Sequence, residues 1–260
     1  MKLSALLLLA ACGDDVTNTG PDAQLAADGS FDALPADRVT LAGMVRDLDV
    51  TKPLDATMQA LLPGVEVCLL VPGEARRCMT TGADARWAFD APKLRKGIGL
   101  TMSIAGHSPV YTLLSTLDVN ELDSVIFLGR DADVSAFMQH FQATYPLGTH
   151  SGVMMHAYHH VAPDYLYLEG GTASASQGAG PFYMAGPWTY TANQVTTTAA
   201  GYGYAVFPDI DASVSTVDVT VELAGATCFA LRDSVSLVGQ DTMRVPVLSG
   251  FFTNVAVVCE

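Results

Sequence analysis

Four of the six histidines fall in one short stretch, His150, His156, His159 and His160, with Met154, Met155 and Tyr158 among them. Imidazole and thioether sulfur are good copper ligands, and imidazole alone suits zinc. On a β-strand, alternate side chains share a face. His156, Tyr158 and His160 then line one face with Met154 and His150, while His159 turns the other way with Met155. His150, Met154, His156 and His160 are therefore the candidate ligands of a copper or zinc site. A polar strand end beside a loop, with ordinary core methionines, is the plainer account of the same residues. No metalloprotease helix is present: His156-Ala157-Tyr158-His159 lacks the glutamate of His-Glu-x-x-His.

Two further groups of residues could bind. Asp47, Asp49 and Asp55 lie in or beside a first long loop, and loop carboxylates supply the hard oxygen ligands that calcium prefers. A solvated loop explains them more simply. Phe182, Tyr183, Trp188 and Tyr190 fall in a Gly- and Pro-rich segment, residues 178–191. Exposed there, they would contact a glycan or an envelope protein; folded inward, they would cap the end of a sandwich. Motifs for a nucleophile elbow, a P-loop and a dinucleotide fold are all missing. No catalytic residue and no cofactor is assigned, and the chain reads as a non-enzyme, with copper or zinc as the alternative.

The chain has 260 residues and a net charge of −14, from 13 basic and 27 acidic side chains. Without a basic run, nucleic-acid binding is excluded. The amino terminus has its own chemistry. Lys2 precedes an apolar stretch to Ala11, the pattern of an export signal and far shorter than the roughly 20 residues of a spanning helix. Leu9-Ala10-Ala11-Cys12 resembles the lipobox of bacterial lipoproteins. That resemblance implies cleavage before Cys12, a diacylglyceryl group on its sulfur, acylation of palmitate type, and a membrane anchor in the cell envelope. Gly13 after the cysteine favours the outer over the inner membrane. Residues 12–38 lack apolar periodicity and read as a flexible tether.

Positioning any site falls to β-strands. Short β-rich runs separated by turn residues predict strands over 39–45, 64–71, 76–81, 86–89, 97–105, 110–116 and 124–128. A second set is predicted over 151–159, 171–176, 194–198, 203–207, 217–223, 227–231, 243–247 and 252–259. Between the sets, Val134, Phe137, Met138 and Phe141 recur at helical spacing, with Asp133 as expected cap and Pro146 as stop. With Cys12 given to lipid, four cysteines remain, which suits an oxidising compartment. They allow three pairings; Cys68–Cys78 and Cys228–Cys259 each fall within one half of the chain. The halves also share a pattern: Thr80-Thr81-Gly82 through Phe89 parallels Thr197-Thr198-Ala199 through Val206. The expected structure is a hairpin with a core aromatic on its return strand.

Gly43-Met44-Val45, Pro63-Gly64-Val65-Glu66-Val67, the Thr80-Thr81 segment and Ala105-Gly106-His107-Ser108-Pro109 together resemble the carboxypeptidase regulatory-like domain, over about residues 39–128. The resemblance implies a transthyretin-like β-sandwich without catalytic function. Ala85-Arg86 departs from it, standing where the family usually has glycine. Intradiol dioxygenases use a related sandwich with iron on tyrosines and histidines, but Pro208-Asp209-Ile210-Asp211 stands where their histidine pair would be.

The whole reading is all-β: two tandem immunoglobulin-like or transthyretin-like β-sandwiches joined by a short helix. Residues 1–11 are the lipoprotein signal peptide, 12–38 the tether, 39–130 the first sandwich, 131–148 the linker helix and 149–260 the second. The expected role is a non-catalytic binding or scaffold module, with the membrane as partner through the lipid, and possible glycan or protein ligands.

Overall fold

The computed structural model describes residues 37–52, 56–93, 96–116, 119–161, 164–186, 188–189, 203–211, 213–231 and 234–260. The signal segment, Cys12, most of the tether, Asp55, Tyr190 and the strand expected over 194–198 lie outside them. The first half contains β1 (Arg38–Leu48), β2 (Ala60–Leu61), β3 (Glu66–Leu70), β4 (Arg77–Thr80), β5 (Arg86–Pro92), β6 (Ile98–Ser103), β7 (Val110–Leu114) and β8 (Glu121–Gly129). Helix α1 (Asp131–His140) follows. The second half contains β9 (Ser151–Val161), β10 (Asp164–Tyr167), β11 (Thr172–Ala175), β12 (Phe182–Tyr183), β13 (Tyr204–Ile210) and β14 (Thr216–Glu222). It ends with β15 (Cys228–Ala230), β16 (Ser236–Gly239), β17 (Thr242–Pro246) and β18 (Phe252–Cys259).

Among the described residues the fold is all-β apart from α1, and it holds two sandwiches. Alternation makes the first. In β1, Val39, Leu41, Gly43 and Val45 are buried while Thr40, Ala42, Met44 and Arg46 are partly exposed. A period of two is what one buried face requires. Strand β1 pairs antiparallel with β2 and β5 and parallel with β8. This small sheet packs on β7, β6, β3 and β4 through a core that includes Leu41, Val45, Leu69, Trp87, Leu100 and Ile126. In the second sandwich, β11, β14, β17 and β16 form the outer sheet. Its core joins Val217, Val219 and Val221 to Val153, Met155, Phe207 and Val257.

The two sandwiches share a sheet. Strands run β12-β13-β9-β18-β7-β6-β3-β4, with β10 on β9 and β15 on β18. The bridge is the parallel pairing of Phe252, Thr253 and Asn254 with Val110, Tyr111 and Thr112. Register then assigns the faces. Leu100 and Met102 point into the first core, and their partners on β7 are Thr112 and Val110. Met155 and Val255, themselves paired, point into the second core. The outer sheets therefore cover opposite faces of the shared one, with α1 lying beside the first outer sheet.

Helix α1 does more than connect. Val134, Phe137 and Met138 are buried with Leu48, Met154, Val206, Trp188 and Phe252 in a third apolar cluster. It begins at Asp131 with Arg130 as its N-cap and without a side-chain capping bond, so Asp133 is not the cap expected from sequence. The helix stops at His140, short of Tyr145, whose hydroxyl donates instead to the Asp131 carboxylate.

Thr80 to Phe89 is not a hairpin. Strand β4 pairs with β3 in the shared sheet, and β5 pairs with β1 in the outer one. The turn is thus an arch between sheets. Its aromatic does enter the core, with Trp87 2% exposed. Ala85 adopts φ +57, a conformation costing an L-residue roughly 1–2 kcal/mol relative to glycine. That is the position where the family pattern has glycine.

Both disulfides join residues that face each other across antiparallel strands. Cys68 and Cys78 pair between β3 and β4 with Cα atoms 4.0 Å apart. Cys228 and Cys259 pair between β15 and β18 with Cα atoms 4.1 Å apart.

Candidate functional site

A cavity of about 80 Å³ sits on the shared sheet where the first outer sheet gives way to α1 and the loop after β12. Its floor is β7, β18 and β9; its far wall includes Ile126, Phe127 and Gly129 of β8, with Met184 and Trp188 beside them. Leu48, from the end of β1, completes the apolar lining. Residues from both halves therefore build it.

Polar side chains interrupt the floor in an ordered way. Across the sheet, Thr112, Asn254 and Met154 form one row of register partners. Ala256, His156 and Tyr204 form the next row on the same face. Partners in adjacent strands bring their side chains within about 4.5–5.5 Å at Cβ. The hydroxyls of Thr112 and Ser115, the side-chain oxygen of Asn254 and Nε2 of His156 are buried with no hydrogen-bond partner in the protein. All four residues line the cavity. Burying such a group unpaired costs about 1–3 kcal/mol. Four in the lining of one cavity call for an explanation beyond packing.

His156 is the one ionisable imidazole in the lining, and its environment fixes its charge. Its ring lies against Tyr204, with centroids 4.1 Å apart. Burial lowers its pKa to about 3, so the imidazole is neutral at physiological pH. Among the described residues, no Asp, Glu, Lys or Arg lines the cavity. An acid–base pair is thus not assembled around His156.

The candidate metal ligands are placed as follows. Met154 and His156 share the cavity face of β9. His150 precedes that strand and is half-buried. His160 lies on β9 opposite Tyr165. His159 is exposed. Among the described residues, the one cluster with metal-ligand spacing is Glu66 with Cys68 and Cys78, and those cysteines are disulfide-bonded.

The loop aromatics do not form an exposed patch. Tyr183 is buried in the second core, and its hydroxyl accepts the Ala173 N–H at 2.8 Å. Phe182 stacks on Phe141 with centroids 4.3 Å apart. Trp188 is buried edge-on against Phe137 and lines the cavity. Because Gly180 and Gly178 bring this segment close to β13, its rings fold inward over α1. Tyr190 lies outside the described residues. Two of the expected calcium carboxylates have protein partners: Arg130 donates to Asp47 at 2.6 and 2.9 Å, His107 Nε2 lies 3.1 Å from Asp47, and Asp49 accepts from Thr51 and pairs with Lys52, while Asp55 lies outside the described residues.

Thr112, Ser115 and Asn254 were not singled out from sequence. The signal available was a polar residue on the apolar side of an alternating strand: Thr112 between Val110 and Leu114, Asn254 between Phe252 and Ala256.

No family model matches this chain, and no curated protein matches it. Among solved structures, the minor pilin GBS52 of Streptococcus agalactiae is 10% identical, with a TM-score of 0.27 over 85% of this chain and 95% of that one. A shaft pilin SpaA from Lactobacillus rhamnosus GG is 10% identical, with a TM-score of 0.25 over 86% and 98%. A DUF3823 family protein from Parabacteroides merdae is 9% identical, with a TM-score of 0.24 over 83% and 99%. Likeness at these scores assigns this chain neither a family nor a role.

Proposed function

We propose that this chain is a lipid-anchored cell-envelope module whose body binds or scaffolds and does not catalyse. The observation that supports this most is the character of the seam cavity. Apolar walls and neutral hydrogen-bonding groups suit binding, whereas general acid–base or nucleophilic chemistry needs a paired ionisable group, and the described residues of this lining supply none. The Leu9-Ala10-Ala11-Cys12 segment supports the anchor, and Gly13 supports outer-membrane delivery. On this reading the tether carries the body away from the bilayer.

Two measurements test it. Cys12→Ala, expressed with radiolabelled palmitate, should lose the label and leave the membrane fraction; retained label or unchanged membrane association would refute anchoring at Cys12. Copper and zinc titration of the full-length protein should give no stoichiometric uptake. Tight uptake abolished by His156→Ala or His150→Ala would replace the binding reading with metal handling.

A further inference from the structure

The seam cavity carries enough chemistry to name a ligand class, an inference that rests on the body being a binding module. Four observations bear on it. First, the walls are apolar: Leu48, Val125, Ile126, Phe127, Met184 and Trp188 face an aliphatic or aromatic body. Second, Thr112 and Asn254 are register partners on the floor, each with an unpaired buried oxygen, so the hydrogen-bonding end of a ligand has one place to go. Third, those atoms are complementary to a single hydroxyl or amide. Thr112 both donates and accepts, and the Asn254 oxygen accepts. Fourth, among the described residues no charged side chain lines the cavity. A carboxylate or ammonium there would be buried without a counter-ion, at a cost of several kcal/mol.

We propose that the seam cavity binds an uncharged amphiphile: a short aliphatic chain ending in a hydroxyl or amide that hydrogen-bonds to Thr112 and Asn254 while the chain packs on Trp188. The 80 Å³ of room is about half the 150 Å³ of an engineered cavity that takes benzene. A chain of a few carbons therefore fills it, and a longer one must extend beyond. Ordered water alone could also satisfy the floor, and the test separates the two.

The test uses full-length Cys12→Ala protein, which carries no acyl chain to compete. Trp188 lines the cavity and Trp87, the other tryptophan, lies in the first core, so intrinsic fluorescence reports on the site. Titration with 1-butanol through 1-octanol should give saturable changes whose affinity rises with chain length and then levels off. Hexanoate and hexylammonium should bind at least tenfold more weakly than 1-hexanol. Thr112→Val, which keeps the shape and removes the hydroxyl, should weaken 1-hexanol about fivefold and leave benzene unchanged. Equal binding of hexanoate, or no saturable change with any alcohol, overturns the proposal and leaves a hydrated seam. That comparison needs only the wild-type cavity, so it stands even if Thr112→Val fails to fold. Failure here would not touch the lipid anchor, which palmitate labelling tests separately.

Discussion

Gly43 should be the least replaceable residue of the first sandwich. It lies in β1 between two neighbours, opposite Trp87 of β5 and Ser124 of β8. A Cβ built there would stand 2.1 Å from the Ser124 carbonyl oxygen and 2.8 Å from the Trp87 ring. The first distance is about 1.3 Å short of the 3.4 Å at which ordinary contact begins. The obstructing atom is backbone, held by a parallel ladder that runs on to Leu48 and Gly129. It cannot swing aside as a side-chain end would. Overpacking typically costs 1–3 kcal/mol, and a clash with backbone belongs at the top of that range, so Gly43→Ala should cost about 3 kcal/mol. For a body of this size, with a urea m-value of about 3 kcal/mol per molar, the midpoint should fall by about 1 M. Trp87 fluorescence follows the transition. Gly82→Ala is the control: its Cβ would meet only Asp84 Oδ1, at 3.4 Å, and its midpoint should move by less than about 0.2 M. A Gly43→Ala midpoint within 0.3 M or so of wild type would refute the close approach of β8 to β1.

Other outcomes are equally open to measurement. The folded-state pKa of His156 is depressed to about 3, so the unfolded chain binds the extra proton between about pH 6.5 and pH 3. Stability is then complete above pH 6.5 and falls with pH, by about 2 kcal/mol from pH 7 to pH 5; urea melts of His156→Phe should lack that slope. Asp47 is held below the ordinary carboxylate range, chiefly by its hydrogen bond from Arg130. Its contribution is therefore present above about pH 4 and lost as pH falls through the lower folded value. Because Arg130 is partly exposed, Arg130→Gln should cost only about 1 kcal/mol; a loss above 3 would show that the pair is far more buried than the fold has it. Cys228 and Cys259 are 31 residues apart and Cys68 and Cys78 are 10, so loop entropy predicts losses of about 3.7 and 2.7 kcal/mol on replacing each pair by serine. Thermal melts in which the shorter loop mattered more would contradict that ordering.

What could be read from sequence was what alternation and punctuation encode. The run over 217–223 became a strand whose buried residues repeat at a period of two, while 110–116 and 252–259 became strands of the shared sheet, buried on both faces and therefore nearly continuous in apolar residues. Cys68 and Cys78 bracket a tight β3–β4 reversal through Pro72 and Gly73, so a local pairing was legible. Pairing partners were not. Nothing local in Thr80 to Phe89 separates a hairpin from an arch, since both need a turn and an apolar return strand. What decides between them is that β5 finds β1, about forty residues earlier in the chain.

The site was hidden for the same reason. Thr112 and Asn254 lie far apart in sequence and become neighbours only through the parallel pairing of β7 with β18. Read alone, each is one polar residue in an apolar strand. The histidine stretch was visible, but alternation sends its members apart. His156 goes inward beside Tyr204 and Met155 into the second core, while His159 reaches the surface. Local density drew attention to β9, whereas the polar cavity floor is set by register across three strands. The shared sheet explains why the floor lies where it does. Its first outer sheet ends at β8, and α1 takes over the covering of the same face. The cavity lies at that changeover, and the polar side chains occupy the sheet face beneath it.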